Sequence, residues 1–146
     1  MKVKVFLLVG AAIIISCTPQ KEAESEYPLL ETMGYYQRFS TKLWLAGINQ
    51  NWEVANFYSH ELEEVTEEFV SENVNHDGHN LSDFARTMIE PAIEEIEEAI
   101  EKKDEVLFVK NYRQLVTSCN TCHLASDHAF IRIKMPDSVN VFNQEF

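Results

Sequence analysis

The chain has 146 residues, with 24 acidic and 12 basic side chains, and its formal net charge is −12. This length suits one domain, and an apolar fraction of 45% argues against a disordered chain. The excess of acid should repel phosphate backbones, which argues against nucleic acid as a partner, and four glycines with four prolines leave few turns for a many-stranded β fold.

The N-terminus predicts a secretory signal peptide over residues 1–16. Lys2 and Lys4 form a basic head, and an apolar run follows from Val5 to Ile15. This run is too short for a membrane-spanning helix, which needs about 20 apolar residues, so we interpret it as a cleaved export signal. Export removes two lysines and no acidic residue, which makes the mature chain more acidic still.

The signal ends in Ile-Ile-Ser-Cys, which resembles a bacterial lipobox and predicts lipidation of Cys17. Acyl chains on this residue would anchor the chain in a membrane, with residues 17–26 as a lipidated tether. We therefore expect an exported, membrane-anchored lipoprotein that faces the periplasm. The residue after the anchor is Thr18. An aspartate at this position would disfavour sorting to the outer membrane, and because the chain has a threonine there, the outer membrane is favoured. The alternative is an ordinary signal peptide with an incidental cysteine.

Residues 27–146 predict one domain, and periodicity places its first two helices. The first runs from about Pro28 to Ile48, and proline is favoured in the first turn of a helix. The second runs from about Asn51 to Asn73. Its apolar positions recur in steps of three and four, as in the seam of an antiparallel bundle: Ala55, Tyr58, Leu62, Val65 and Phe69.

Two further helices follow a break in the polar segment His76–Asn80. The third starts near Ser82, a residue type that caps helix N-termini. Pro91 lies within the third helix, so a kink or restart just before it is expected. Asp104 is a suitable N-cap for the fourth helix. The last stretch of apolar residues with helical spacing lies in this helix.

Four helices of about 20 residues with short connections favour an all-α fold, an up-down-up-down four-helix bundle. Beyond about Ser126 the helical pattern is lost. We interpret the remaining residues as a C-terminal extended tail that covers the bundle end.

The fourth helix carries the segment Cys119-Asn120-Thr121-Cys122-His123, which matches the C-x-x-C-H signature of c-type haem attachment. Two thiols at this spacing can each add to one haem vinyl group, and the next residue, His123, can then ligate the iron. Ligation requires a neutral imidazole, and its other nitrogen should find a carbonyl or carboxylate partner. No residue set suggests an enzyme active site.

Other interpretations of these residues stay open. A thioredoxin-like redox pair usually lies at a helix N-terminus after a strand, whereas this pair lies near a helix end. A zinc site would need a fourth ligand, for which His128 is the candidate. A plain structural disulfide leaves His123 without a role.

The motif near the end of the fourth helix of a predicted bundle resembles the class II cytochromes c, the cytochrome c-prime group. The resemblance covers about 28–125 in architecture, but only Cys119, Cys122 and His123 in motif. It implies one covalent haem c per chain, with His123 as the proximal ligand, and it makes a homodimer one expected oligomeric state. The lipid anchor, the acidic surface and the tail depart from that family.

Bundle topology narrows the candidates for a sixth iron ligand. The end of the fourth helix should lie beside the start of the first and beside the connection between the second and third. This level contains Met33, Met88 and the His76/His79 loop, and Met135 could fold back to it. Class II relatives with a second ligand take a methionine from the first helix, which implies Met33. The alternative is an open or apolar distal face, with Met33 as a core residue.

The sequence thus predicts a mono-haem c-type cytochrome for electron transfer at the periplasmic side of a bacterial membrane, working with redox partner proteins. One alternative is a haem-based NO- or CO-binding or sensing protein on the same scaffold, because an open iron could bind gas. A metal-binding lipoprotein without haem is the other.

Overall fold

A computed structural model describes residues 27–146 of the chain. The predicted signal peptide over 1–16, the predicted lipidation residue Cys17 and the tether over 17–26 lie outside the described residues. The described part is all-α apart from one short hairpin, as predicted from the sequence. Among residues 27–146, no helix combines the length and the apolar character that crossing a membrane requires.

The first two helices are α1, Leu29–Ile48, and α2, Trp52–Ser71. Both lie within two residues of the predicted bounds. Asn51 caps α2, because its side-chain oxygen accepts a hydrogen bond from the Val54 N–H and so satisfies a free amide of the first turn.

A two-residue hairpin connects α2 to the third helix. Strand β1, Asn75–His76, pairs antiparallel with β2, His79–Asn80, and His76 lies opposite His79. The turn between them is Asp77-Gly78, in which both residues have positive φ, 49° and 84°. Asp-Gly is a favoured pair for such a tight turn, since glycine and aspartate tolerate this conformation. The predicted break is confirmed, and it has a defined shape.

The third helix is built in three parts: α3, Leu81–Phe84; a π-helical turn, Ala85–Ile89; and α4, Glu90–Glu101. The π turn ends immediately before α4, whose first turn contains Pro91, a residue without an N–H to donate to the preceding turn. The expected restart just before this proline is confirmed.

The predicted N-cap of the third helix was wrong. Asn80 caps it, since its side chain accepts from the Asp83 N–H at 2.9 Å. Ser82 is buried instead, where its hydroxyl donates to the Phe69 carbonyl at 2.6 Å and accepts from the Val74 N–H at 2.7 Å. The serine hydroxyl therefore ties the end of α2 to the start of α3.

The last helix is α5, Glu105–Ala125, and Asp104 caps it as predicted by accepting from the Leu107 N–H at 3.0 Å. Residues 126–146 contain no helix or strand. This segment nevertheless contacts α1 and α2: Lys42 donates to the side-chain oxygen of Gln144 at 3.0 Å, and the Tyr58 hydroxyl donates to the same oxygen at 2.7 Å.

The helices enclose one apolar core. Helix α1 contacts α2 and α5, α2 contacts α4, and α4 contacts α5. Gly47 lies directly against the Phe108 ring, where no side chain would fit. The largest fully buried apolar side chains are Leu43, Leu45, Leu62, Ile96, Phe108 and Tyr112.

Candidate functional site

Cys119 and Cys122 lie one turn apart near the C-terminal end of α5, and both are free thiols. Cys119 packs against the apolar core, and burial raises the pKa of its thiol to about 12. Burial also raises the pKa of Cys122 above its usual value. Both sulfurs are therefore protonated at neutral pH and face the interior side of the helix.

This environment argues against a thioredoxin-like pair. A reactive thiol in such a pair has a lowered pKa, which a helix N-terminus or a nearby cation provides. The two thiols here have raised pKa values and lie near the C-terminal end of α5, where the helix dipole disfavours a thiolate.

The imidazole of His123 is held in one orientation by the chain that follows α5. Its Nδ1 lies 2.9 Å from the carbonyl oxygen of Ile131, and because a carbonyl only accepts, Nδ1 carries the proton. The lone pair is then on Nε2. A neutral imidazole fixed through Nδ1 by a carbonyl is the usual arrangement of a histidine that ligates a metal through Nε2. A carbonyl or carboxylate partner was predicted for one His123 nitrogen, and the structure shows a carbonyl.

Asn120 holds the carbonyl of Ile131 in place. The Asn120 side-chain amide donates to the Ile133 carbonyl at 2.9 Å, and its oxygen accepts from the Ile133 N–H, also at 2.9 Å. The His128 N–H donates to the His123 carbonyl at 2.7 Å. These bonds fold the chain back along the end of α5. Sequence reasoning missed Asn120, because a polar residue between two cysteines carries no signal for a contact thirteen residues later.

Apolar side chains are exposed around this site. Leu124 is 66% exposed, Phe130 80% and Ile131 44%. Leu124 follows His123 in the chain, and the Ile131 carbonyl accepts a hydrogen bond from His123. The Phe130 ring lies 5.6 Å from the ring of His128, between centroids. Single exposed apolar residues are common, but a group beside two free thiols and an oriented imidazole is surface that a bound apolar group would cover.

Two cavities of the described chain lie elsewhere. One of about 300 Å³ lies between α1 and α2, where Tyr27, Thr32 and Val65 line it. The other, of about 180 Å³, lies between α2 and α4 among glutamates. The thiols and the imidazole fit covalent haem attachment as a donor set.

Helix α1 contributes aromatic residues to the surroundings of the cysteines. Burial raises the pKa of Tyr36 far above its usual range, and the nearby Cys119 and Cys122 thiols raise it further. The Tyr36 hydroxyl donates to the Thr66 hydroxyl at 2.9 Å. Tyr112 on α5 is buried beside Cys119 in the same way and donates to the Ser40 carbonyl at 2.8 Å.

The methionines considered as iron ligands are all half-buried. Met33 lies on α1 one turn before Tyr36, and it packs against the core. Met135 also packs against the core, and Met88 lies in the π turn. All three remain candidates.

The histidine loop lies beside the end of α5, as bundle topology predicts. His79 Nε2 donates to a carboxylate oxygen of Asp127 at 3.1 Å, and the rings of His76 and His128 have centroids 6.0 Å apart. Among the described residues, His128 groups with His76 and Asp77, and not with the cysteine thiols. The zinc site of two cysteines and His128 that the sequence left open therefore does not form in this arrangement.

Comparison with known proteins gives no match to any family model, to any curated protein or to any solved structure.

Proposed function

We propose that this chain is a mono-haem c-type cytochrome that transfers electrons at the periplasmic side of a bacterial membrane. Cys119 and Cys122 would attach one haem c through thioether bonds, and His123 would ligate the iron through Nε2. Haem c supplies one-electron chemistry in such proteins. The observation that carries the proposal is the hydrogen bond from His123 Nδ1 to the Ile131 carbonyl, next to two free thiols on one helix.

We further propose that the helices form an up-down-up-down four-helix bundle, with residues 126–146 as an extended tail over its end. The pairwise contacts of α1 with α2 and α5, and of α4 with α2 and α5, support a closed ring of four helices. The fold-back held by Asn120 supports a tail that covers the end of α5.

Met33 is our proposed sixth ligand. Its support is its place on α1, one turn from a tyrosine whose hydroxyl lies near both cysteines. Methionine opposite histidine raises the reduction potential of haem, which suits electron transfer to and from redox partner proteins. A homodimer remains compatible with this proposal.

Export and anchoring belong to the same proposal. The leader over 1–16 and lipidation of Cys17 would place the domain outside the cytoplasm, with the outer membrane favoured. Cys17→Ala, with the leader over 1–16 replaced by an export leader whose cleavage does not need lipidation, should release the protein from the membrane fraction while the domain still folds. Retention of this variant in the membrane after a carbonate wash would contradict the anchor.

Covalent attachment is tested by producing the full chain in a host that has the haem-attachment machinery. The wild type should keep its colour after acidic acetone, which extracts non-covalent haem. Cys119→Ala and Cys122→Ala should each leave a single thioether bond, and a shifted pyridine haemochrome spectrum reports this change. The variant that carries both substitutions should lose its haem in acidic acetone. Thr121→Ala is the matched control, because its hydroxyl is exposed and bonds only within α5.

Spectra then distinguish the classes of haem protein. A low-spin ferrous spectrum that CO leaves unchanged, and that becomes high-spin in Met33→Ala, supports electron transfer with Met33 as ligand. A high-spin spectrum that CO shifts would favour gas binding or sensing instead. Colourless wild type from a competent host would overturn the cytochrome proposal altogether.

A further inference from the structure

A second group of metal-binding side chains lies away from the cysteines. His76, Asp77 and His128 each offer one ligand atom, and these three atoms lie within 4.8 Å of one another. His76 Nε2 is 3.5 Å from a carboxylate oxygen of Asp77. Ligand atoms of a tetrahedral zinc site are about 3.3 Å apart, given bonds of about 2.0 Å, so this pair already has nearly the required spacing.

The hairpin presents two histidines to the end of α5. His76 and His79 are directly opposite each other on β1 and β2, and opposite residues of a ladder point to the same face. That face meets two consecutive residues, Asp127 and His128: His79 bonds to Asp127, and His76 approaches His128. The first contact fixes the hairpin against the end of α5, and the second leaves one ligand atom of His76 and one of His128 within 4.8 Å of each other.

His128 is oriented for ligation by the backbone. Its Nδ1 donates to the Ser126 carbonyl at 2.6 Å, which leaves the lone pair on Nε2. Ser126 is itself buried, and its hydroxyl donates to the Cys122 carbonyl at 2.9 Å. A histidine whose tautomer is set by a fixed carbonyl loses little freedom when it binds a metal.

We propose that His76, Asp77 and His128 bind one divalent transition-metal ion of the Zn²⁺ class, separate from any haem iron. Two imidazoles and one carboxylate suit Zn²⁺, and three protein ligands leave the fourth position to water. Because Asp77 is largely exposed and His76 partly so, the ion would face solvent. The site joins the hairpin to the end of α5, so binding should also stabilise the fold-back that follows His123.

Zinc titration of the tag-free full chain, by competition with a chromophoric chelator, tests the proposal. One Zn²⁺ per chain should bind, and His76→Ala and His128→Ala should each weaken binding about tenfold or more. Asp77→Asn, which keeps the turn and the side-chain size, should weaken it as well. Cobalt in place of zinc should give the visible absorption of a four-coordinate ion.

Two controls separate this site from other ligands. His60→Ala removes an exposed imidazole that contacts only Glu63 and Glu64, and it should leave zinc affinity unchanged. Cys119→Ser/Cys122→Ser, which cannot attach haem, should still bind one Zn²⁺, so this test succeeds or fails independently of the cytochrome proposal.

Three results of the zinc titration would overturn the zinc site. These are an absence of binding at millimolar zinc, binding that the histidine variants leave intact, and binding that disappears with the thiols. A Soret shift on His76→Ala would also overturn it, since it would place that imidazole on haem iron.

Discussion

Around Gly47, the helices pack mainly through apolar side chains. Gly47 touches the Phe108 ring, and Phe108 in turn lies beside Trp44 and Tyr112. Around His123, by contrast, the chain is positioned by polar bonds, from Asn120 to Ile133 and from His123 to Ile131, while apolar side chains stay exposed.

This difference indicates what each region needs. A core of fully buried side chains is complete in the polypeptide, and adding or removing atoms there costs stability. Around His123, hydrogen bonds orient one imidazole and hold the following chain, while the side chains of Phe130 and Leu124 stay exposed, so this region depends on polar contacts. The predictions below test the two regions in turn.

The largest effect is expected from Gly47→Ala. The new Cβ would overlap the Phe108 ring, which is fully buried and cannot move aside, so the free energy of unfolding should fall by about 3 kcal/mol. Gly34→Ala is the matched control on the same helix, since nothing lies within 4 Å of its Cβ position; it should stabilise by about 0.5–1 kcal/mol. Denaturant unfolding measures the free energy of unfolding of both variants. A Gly47→Ala variant as stable as Gly34→Ala would contradict the close packing at Gly47.

Asn120→Ala tests the polar region. It removes both hydrogen bonds to Ile133, so we expect a loss of about 2 kcal/mol and faster exchange of the Ile133 amide hydrogen. Thr121→Ala, in the next position, should change neither quantity. If the Ile133 amide stays protected in Asn120→Ala, then the fold-back does not depend on this side chain.

Gln144→Ala tests how firmly the tail is held on α1 and α2. The substitution leaves the nearly buried Lys42 ammonium with one hydrogen-bond partner fewer, and the loss should be about 1–2 kcal/mol. Asn143→Ala replaces an exposed neighbour and serves as the control. A melting temperature equal to that of wild type would show that the tail contact is not stabilising.

The smallest effect concerns Glu97, beside the cavity between α2 and α4. Partial burial raises the pKa of Glu97 above its usual 4.5, and the charge of Glu63 raises it further. A raised carboxyl pKa favours folding below pH 4.5 and loses that contribution as the pH rises through the folded-state pKa. Glu97→Gln should therefore be slightly more stable than wild type at pH 7.

The pH dependence gives this prediction its control. The advantage of Glu97→Gln should disappear below pH 4.5, where the wild-type carboxyl is also neutral. Glu101→Gln, at the exposed end of α4, should not reproduce the change. Melting temperatures across this pH range measure both variants, and a constant difference between Glu97→Gln and wild type would contradict the raised pKa.

Helix positions were accessible from the sequence because they depend on local signals. Periodicity placed the four predicted helices, Asp104 indicated the start of the fourth, and Pro91 indicated the restart of the third. Ser82 misled because its hydroxyl bonds to Phe69, thirteen residues earlier, and such a partner cannot be inferred from neighbouring residues.

The candidate site was predicted in part for the same reason. The C-x-x-C-H spacing is local, and it led to the prediction of a carbonyl or carboxylate partner for His123. That this partner is the Ile131 carbonyl depends on how the chain after α5 folds back. The approach of His128 to His76 joins residues that are 52 positions apart, and the bond of Lys42 to Gln144 joins residues 102 apart. The haem itself stays a prediction.

The π turn over Ala85–Ile89 has a consequence for comparing this chain with others. A π turn holds one residue more than the α-helix it interrupts, and one residue corresponds to a rotation of about 100°. Because the wider turn absorbs this extra residue, deleting one residue there would give a regular α-helix and would leave Leu81 and Ser82 close to the face that contacts α2. A homologue with an uninterrupted third helix would align with this chain only after a gap of a single position within this turn.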